Sequence, residues 1–196
     1  MKLILASKSP RRKEILENLG VEFEIITCET DEHTNETDGR KYVQEIAHRK
    51  GEAVRALLES EGKLADEILI LSSDTVVVSV DGEIMGKPKD RADAKRMILA
   101  FSDKPHYVIS GIALISKNKT VLTCESTTVH FDRVDESDVE RYLDTDEAYD
   151  KAGAYAIQGY ASLWIKGIEG DYFNVVGLPV KKLSDTLKKE FNIKLA

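Results

Sequence analysis

Two cysteines, four prolines and one tryptophan are all that 196 residues contain of these types. Cys28 and Cys124 allow at most one bridge and form no metal-ligand cluster, so a reducing compartment with two free thiols is the default expectation. No apolar run approaches the roughly 18 residues of a membrane span. The opening Met1–Ala6 stretch is too short for a signal peptide and runs straight into Ser-Lys-Ser-Pro-Arg-Arg. With 28 Lys and Arg against 35 Asp and Glu, the net charge of −7 lacks the cationic surplus that duplex DNA or an anionic membrane demands. Neither a Walker glycine loop nor Gly-x-Gly-x-x-Gly occurs, so the common nucleotide-binding folds find no support. His33, His48, His106 and His130 show no metal-ligand spacing, and neither cysteine has a nucleophile's setting.

What is present alternates strand and helix. Leu3 to Ala6 reads as a short buried strand, followed by Ser9 as a helix N-cap and Pro10 at the first helical position. Ile15, Leu16 and Leu19 stripe that helix and Gly20 ends it. Val21–Thr27 reads as a strand, and a long helix is predicted from about Arg40 to Ser60. Ile68–Val80 is apolar and β-branched, and Asp81-Gly82 then signals a hairpin with Glu83–Met85 returning. Asp90 caps a further helix, Tyr107–Phe131 forms two long strands, Glu136–Leu143 a short acidic helix, and Val180–Phe191 a closing amphipathic one. Close hairpins mixed with helical crossovers predict one α/β domain on a mixed, strongly twisted sheet.

Four segments depart from simple stability. Arg11-Arg12-Lys13 puts three cations in a first helical turn, where the macrodipole disfavours them by about 0.3–1 kcal/mol each. A bound phosphate would reverse that sign, with Ser7 and Ser9 adding hydroxyls; the alternative is cations in water, paired with Glu14 or Glu17. Asp74 interrupts the apolar run Leu69–Val78 and needs a metal, a cation such as Lys87, or exposure at a strand end. Asp31-Glu32 is either solvated surface or a second acid joining Asp74 on a divalent cation. Lys50, among apolar helix neighbours, reads as a snorkelling surface lysine unless its helix faces the site. Finally, Asp150–Gly159 surrounds Tyr155 and Gln158 with small residues, suited to a ligand's close approach or to a tightly packed turn.

Together, Leu5-Ala6-Ser7-Lys8-Ser9-Pro10-Arg11-Arg12, Ser73-Asp74-Thr75-Val76-Val77, Gly86-Lys87-Pro88, the Asp150–Gly159 segment and Asn174-Val175-Val176-Gly177-Leu178-Pro179 resemble the Maf-like nucleoside triphosphate pyrophosphatases over almost the whole chain. The resemblance implies one domain over 1–196 with two lobes, an elongated mixed sheet, and a central cleft, similar to the inosine triphosphatase fold. It implies a cytoplasmic enzyme that cleaves a nucleoside triphosphate between its α and β phosphates, giving a monophosphate and pyrophosphate. The form Ala-Gly-Ala-Tyr-x-Ile-Gln-Gly resembles the dTTP and UTP branch. Carried across, Asp74 is the catalytic acid or base, with Lys87 and Glu32 beside it, and Glu32 and Asp74 hold Mg²⁺ or Mn²⁺. Ser7, Arg11, Arg12, Lys50, Thr75 and Gln158 match substrate-binding positions, of which Arg12, Thr75 and Gln158 relate to substrate choice. Ala148 stands where the family commonly has proline, which changes the local turn and not the chemistry. No nucleic acid or membrane partner is implied, and a homodimer stays open. Two other readings remain: the same chemistry directed at modified or damaged nucleotides, and a non-catalytic nucleotide-binding regulator of septum formation.

Overall fold

The computed structural model describes residues 1–195. Strand β1 (Lys2–Leu5) leads to helix α1 (Pro10–Asn18), strand β2 (Phe23–Ile25) and the long helix α2 (Gly39–Ser60). Next come β3 (Ile68–Val78), β4 (Ile84–Met85), α3 (Arg91–Phe101), β5 (Pro105–Ile115) and β6 (Thr120–Phe131). The chain closes with α4 (Glu136–Leu143), short 3₁₀ turns, β7 (Ile165–Glu169), α5 (Tyr172–Val176) and α6 (Val180–Thr186). The sheet order is β2-β1-β3-β5-β6-β7, with β4 paired to β3. β1 runs parallel to β2 and β3, whereas β3–β4 and β6–β7 are antiparallel, so the sheet is mixed and the α/β class is as the sequence suggests. No helix of the described residues is long and apolar enough to cross a membrane.

Local chemistry accounts for most boundaries. Asp38 and Asp90 cap α2 and α3, accepting from the N–H groups of Arg40 and Lys41 and of Asp93. Gly20, at φ +69°, takes the left-handed turn beyond α1. Ser9 stands at the N-cap of α1, but its side chain makes no capping bond; its own N–H instead donates to Ser7 Oγ at 3.2 Å. The predicted last helix is α-helical only to Thr186 and widens into a π turn over Leu187–Phe191.

The chain forms two compact units. The first comprises Met1–Asp74, Ser110–Glu125 and Gly177–Ala196, and the second Thr75–Ile109 and Ser126–Val176. The first unit buries Ile4, Ala6, Ala47, Val54, Leu58, Ile68, Ile70, Ala113 and Ile115 between α2 and the strands. Two glycines set how closely α2 lies on the sheet. A Cβ at Gly111 of β5 would sit 2.5 Å from the Val43 carbonyl oxygen, and one at Gly51 of α2 would sit 2.6 Å from Ile115 Cδ1 and 2.7 Å from Ser72 Oγ. Gly111→Ala meets rigid backbone and is expected to destabilise by about 1–3 kcal/mol, read as a lower urea midpoint at unchanged m. The second unit packs Phe101, His106, Phe131, Tyr142, Tyr155 and Trp164 around one another, with Phe101 stacked on His106 at 4.1 Å between ring centroids.

Candidate active site

β3 reads Ile-Leu-Ile-Leu-Ser-Ser-Asp-Thr-Val-Val-Val and is buried almost throughout, as expected of a strand covered on both faces. Asp74 therefore sits inside the strand and not at a solvated end. The required counter-charge comes from α2: Lys50 Nζ donates to Asp74 Oδ1 at 2.8 Å, with the two side chains only 17% and 13% exposed. This overturns the reading of Lys50 as a snorkelling surface residue. The reason is the neighbouring Gly51, whose missing side chain lets the helix press onto β3 at Ser72, two residues before Asp74. Ser72 Oγ fastens that contact by donating to the Ala47 carbonyl at 2.6 Å.

The same ammonium lies 3.1 Å from Glu32 Oε1, so two carboxylates converge on one nitrogen. Glu32 is 61% exposed and rides on the loop after β2. That loop is tied to α2 by Arg49, whose Nη1 donates to the His33 carbonyl at 2.6 Å, and by Thr34, whose hydroxyl donates to Glu45 at 2.6 Å. The Asp31-Glu32 pair thus divides: Asp31 accepts the His33 N–H at 2.8 Å, and Glu32 turns to Lys50.

The cations of α1 also divide. Lys13 pairs with Glu17 at 3.4 Å in water, as its solvated alternative requires. Arg12 turns back: Nη1 donates to Ser7 Oγ at 3.1 Å and Nε to the Gly177 carbonyl at 2.9 Å. Burial draws its guanidinium below the ordinary value; the charge of Asp74 opposes that, Arg11 adds to it, and Glu32 opposes it. Arg12, Asp74 and Glu32 therefore share one electrostatic neighbourhood within the first unit. Ser73 Oγ joins the same Gly177 carbonyl at 3.3 Å.

Tyr42 is a member that the sequence reading missed. Burial first, then Asp74 and Glu32, push its hydroxyl above the ordinary value. Tyr42, Ile46 and Lys50 recur at four-residue steps along α2, so a polar residue two turns before Lys50 on the buried face was the available signal.

Thr75, Lys87 and Gln158 belong to the second unit. Thr75 follows Asp74 directly along β3. Lys87 is exposed on the turn after β4. The Gly86 carbonyl just before it accepts the Gly153 N–H at 3.0 Å, so this turn is joined to the Asp150–Gly159 segment. Gly153 has φ +69°, and a Cβ there would lie 2.7 Å from Val77 Cγ2, so both its conformation and its packing call for glycine. Tyr155 is buried with its hydroxyl sharing a 2.7 Å hydrogen bond with His106 Nε2, and Gln158 is exposed beyond it.

Among the described residues no group of three or more His, Cys, Asp or Glu is placed to hold a metal. Two convergent carboxylates nonetheless fit an ion such as Mg²⁺, which takes one or two protein carboxylates and fills its shell with water and phosphate oxygens.

The chain is 46% identical to the dTTP/UTP pyrophosphatase of Caldanaerobacter subterraneus subsp. tengcongensis over 196 residues, covering 99% of this chain and 91% of that one. It is 47% identical to the dTTP/UTP pyrophosphatase of Clostridioides difficile over 198 residues, covering 100% and 98%. A solved chain, the Staphylococcus aureus Ham1 protein, aligns at TM-score 0.47 and 12% identity over 67% of this chain and 72% of that one. The family described as Maf-like protein matches residues 2–190, and the chain belongs to that family.

Proposed function

We propose that this protein hydrolyses nucleoside triphosphates, dTTP and UTP foremost, between the α and β phosphates, releasing a nucleoside monophosphate and pyrophosphate. The observation that carries the reading is the buried Asp74 held with Glu32 on Lys50, in the electrostatic neighbourhood of Arg12. The names of relatives 43–47% identical over nearly the full chain supply the substrate class.

The chemistry follows from these groups. A water oxygen bonds to one of the two phosphorus atoms flanking the α–β bridge, and the bond from that phosphorus to the bridging oxygen breaks; the departing group, pyrophosphate for attack at the α phosphorus or the monophosphate for attack at the β phosphorus, keeps the electron pair on that oxygen. Asp74 orients that water and takes its proton. Lys50 fixes the direction of the Asp74 carboxylate and adds positive charge where negative charge grows on phosphate oxygens; Arg11 and Lys87 add to it. Arg12, already ordered by Ser7 and Gly177, offers a fork to a phosphate or to the base. Glu32 and Asp74 would hold Mg²⁺ or Mn²⁺, which neutralises phosphate charge when bound. Thr75 and Gln158 read the pyrimidine edge through their donor and acceptor groups. A nucleotide sensor with no activity has no use for a carboxylate buried on a lysine, so the catalytic reading explains more of the site. We place the reaction in the cytoplasm, with the pool of free nucleotides.

The test is direct. The purified protein, supplied with Mg²⁺ or Mn²⁺ and a panel of ordinary and modified triphosphates, is assayed separately for pyrophosphate and orthophosphate. Pyrophosphate with an equal amount of monophosphate, fastest from dTTP or UTP and lost with a chelator, is the expected result. Orthophosphate as the first product, or nucleotide binding with no release, refutes the proposal. A modified pyrimidine turned over faster than dTTP moves the physiological substrate while keeping the chemistry.

A further inference from the structure

The turn bearing Gln158 is fastened from behind by one side chain. Glu147 Oε2 accepts the Tyr160 N–H at 3.0 Å, from a position 13 residues earlier in the chain. Its Oε1 lies 3.5 Å from the Tyr142 hydroxyl, which itself donates to the Ala154 carbonyl at 3.0 Å. Gly159, between Gln158 and Tyr160, rests directly on this carboxylate: a Cβ there would fall 1.9 Å from Oε1 and 2.5 Å from Oε2. The Glu147 main chain is held in turn, its carbonyl accepting from Lys151 Nζ at 2.7 Å, and Ala148 after it is fully buried. Lys151, a member of the Asp-Lys-Ala-Gly sequence, thereby joins the start of the segment to the residue that pins its end. Gly159 N–H closes the turn onto the Ala156 carbonyl at 3.2 Å.

A charged acceptor spent on one exposed backbone N–H makes a bond about twice as strong as a neutral one. Such strength is of use where a small displacement matters. An amide reads a base only when its oxygen and nitrogen are held within about 0.5 Å of their places. From this geometry we infer that Glu147 is a positioning residue for substrate discrimination: acting through the Gly159–Tyr160 backbone, it holds Gln158 where it selects among bases. The inference rests on the reading of Gln158 given above.

Steady-state kinetics of Gln158→Ala, Glu147→Ala, Glu147→Gln and the double alanine variant, with UTP, dTTP, CTP and dATP, test it. Gln158→Ala is expected to compress the kcat/KM preference for UTP over CTP by about tenfold or more. Glu147→Ala should do the same through KM, leaving kcat for saturating UTP within about twofold of wild type. Glu147→Gln, whose amide oxygen still accepts the Tyr160 N–H, should restore most of the preference. The double variant should lose no more than Gln158→Ala, because both changes act through one side chain. A folded Glu147→Ala protein with intact ranking, beside a Gln158→Ala protein that has lost it, overturns the positioning role. So does a loss shared equally by all substrates, or one that adds fully in the double variant. If Gln158→Ala itself keeps the wild-type ranking, the base-reading assignment fails instead, and the inference with it. Should Glu147→Ala not fold, Gly159→Ala pushes the same backbone off the carboxylate; the same loss supports the role and an unchanged ranking overturns it.

Discussion

Asp74→Asn is expected to lower kcat by about 10²–10⁴-fold, the range that a positioned general base supplies, while the protein stays folded. The carboxamide matches the carboxylate in shape and can still accept the Lys50 ammonium that Asp74 receives at 2.8 Å. What it cannot do is take a proton from water. Lys50 keeps a carboxylate partner in Glu32 at 3.1 Å, so no ammonium is stranded without a counter-charge. Single-turnover rates at saturating substrate isolate the step concerned, and near-normal turnover would remove Asp74 from the chemistry. A large loss accompanied by unfolding, seen by circular dichroism, would instead make Asp74 a structural residue.

Acid should weaken the fold through His106. Its ring is fully buried and stacked on Phe101; Nε2 meets Tyr155, and Nδ1 has no hydrogen-bond partner among the described residues. Burial, helped by the charge of His130, pulls the imidazole from its ordinary 6.5 down to about 3. The doubly protonated ring would carry a positive charge in an apolar site, with its Nδ1–H donating to nothing. The unfolded chain therefore binds a proton at a pH where the folded one does not. Stability is complete above about pH 6.5 and is lost progressively as the pH falls towards about 3. By about pH 5 the loss is on the order of 2 kcal/mol. Urea melts at about pH 7.5 and about pH 5 should show it in the wild type. His106→Gln should be less stable at the higher pH, with its deficit shrinking by about that amount at the lower. Asp38, Asp93, Glu140 and Glu190, all held below their ordinary values, contribute alike to both proteins and cancel. A deficit unchanged with pH would show that His106 does not titrate in this way.

How far the fold was legible depended on how local each cause was. The Asp81-Gly82 turn, the Asp90 cap and the acidic helix at Glu136–Leu143 are each specified within a few residues, and each is found where the sequence suggests. Asp74 was legible as an anomaly because a carboxylate in an apolar strand must be compensated somewhere. The compensating group was not legible. Lys50 is one lysine on a 22-residue helix, and its spacing is the same whether its head reaches water or a buried acid. Only the approach of α2 to β3, permitted by Gly51, decides between the two. The Gly177 carbonyl was beyond reach for another reason: a backbone acceptor has no residue type to betray it. Ser9 takes the N-cap position expected of it without making a capping bond, while Ser7 Oγ receives both the Ser9 N–H and Arg12. Glu147 passed unnoticed because an acid in an acidic stretch looks like ordinary surface until the backbone it supports is seen.

The acceptor that seats Arg12 is made 165 residues after it. On the ribosome, the strand and helix that carry Ser7 and Arg12 emerge long before the carbonyl that orients the guanidinium. A chain stopped short of Gly177 lacks that grip on the guanidinium, so the cation can be seated only late in translation.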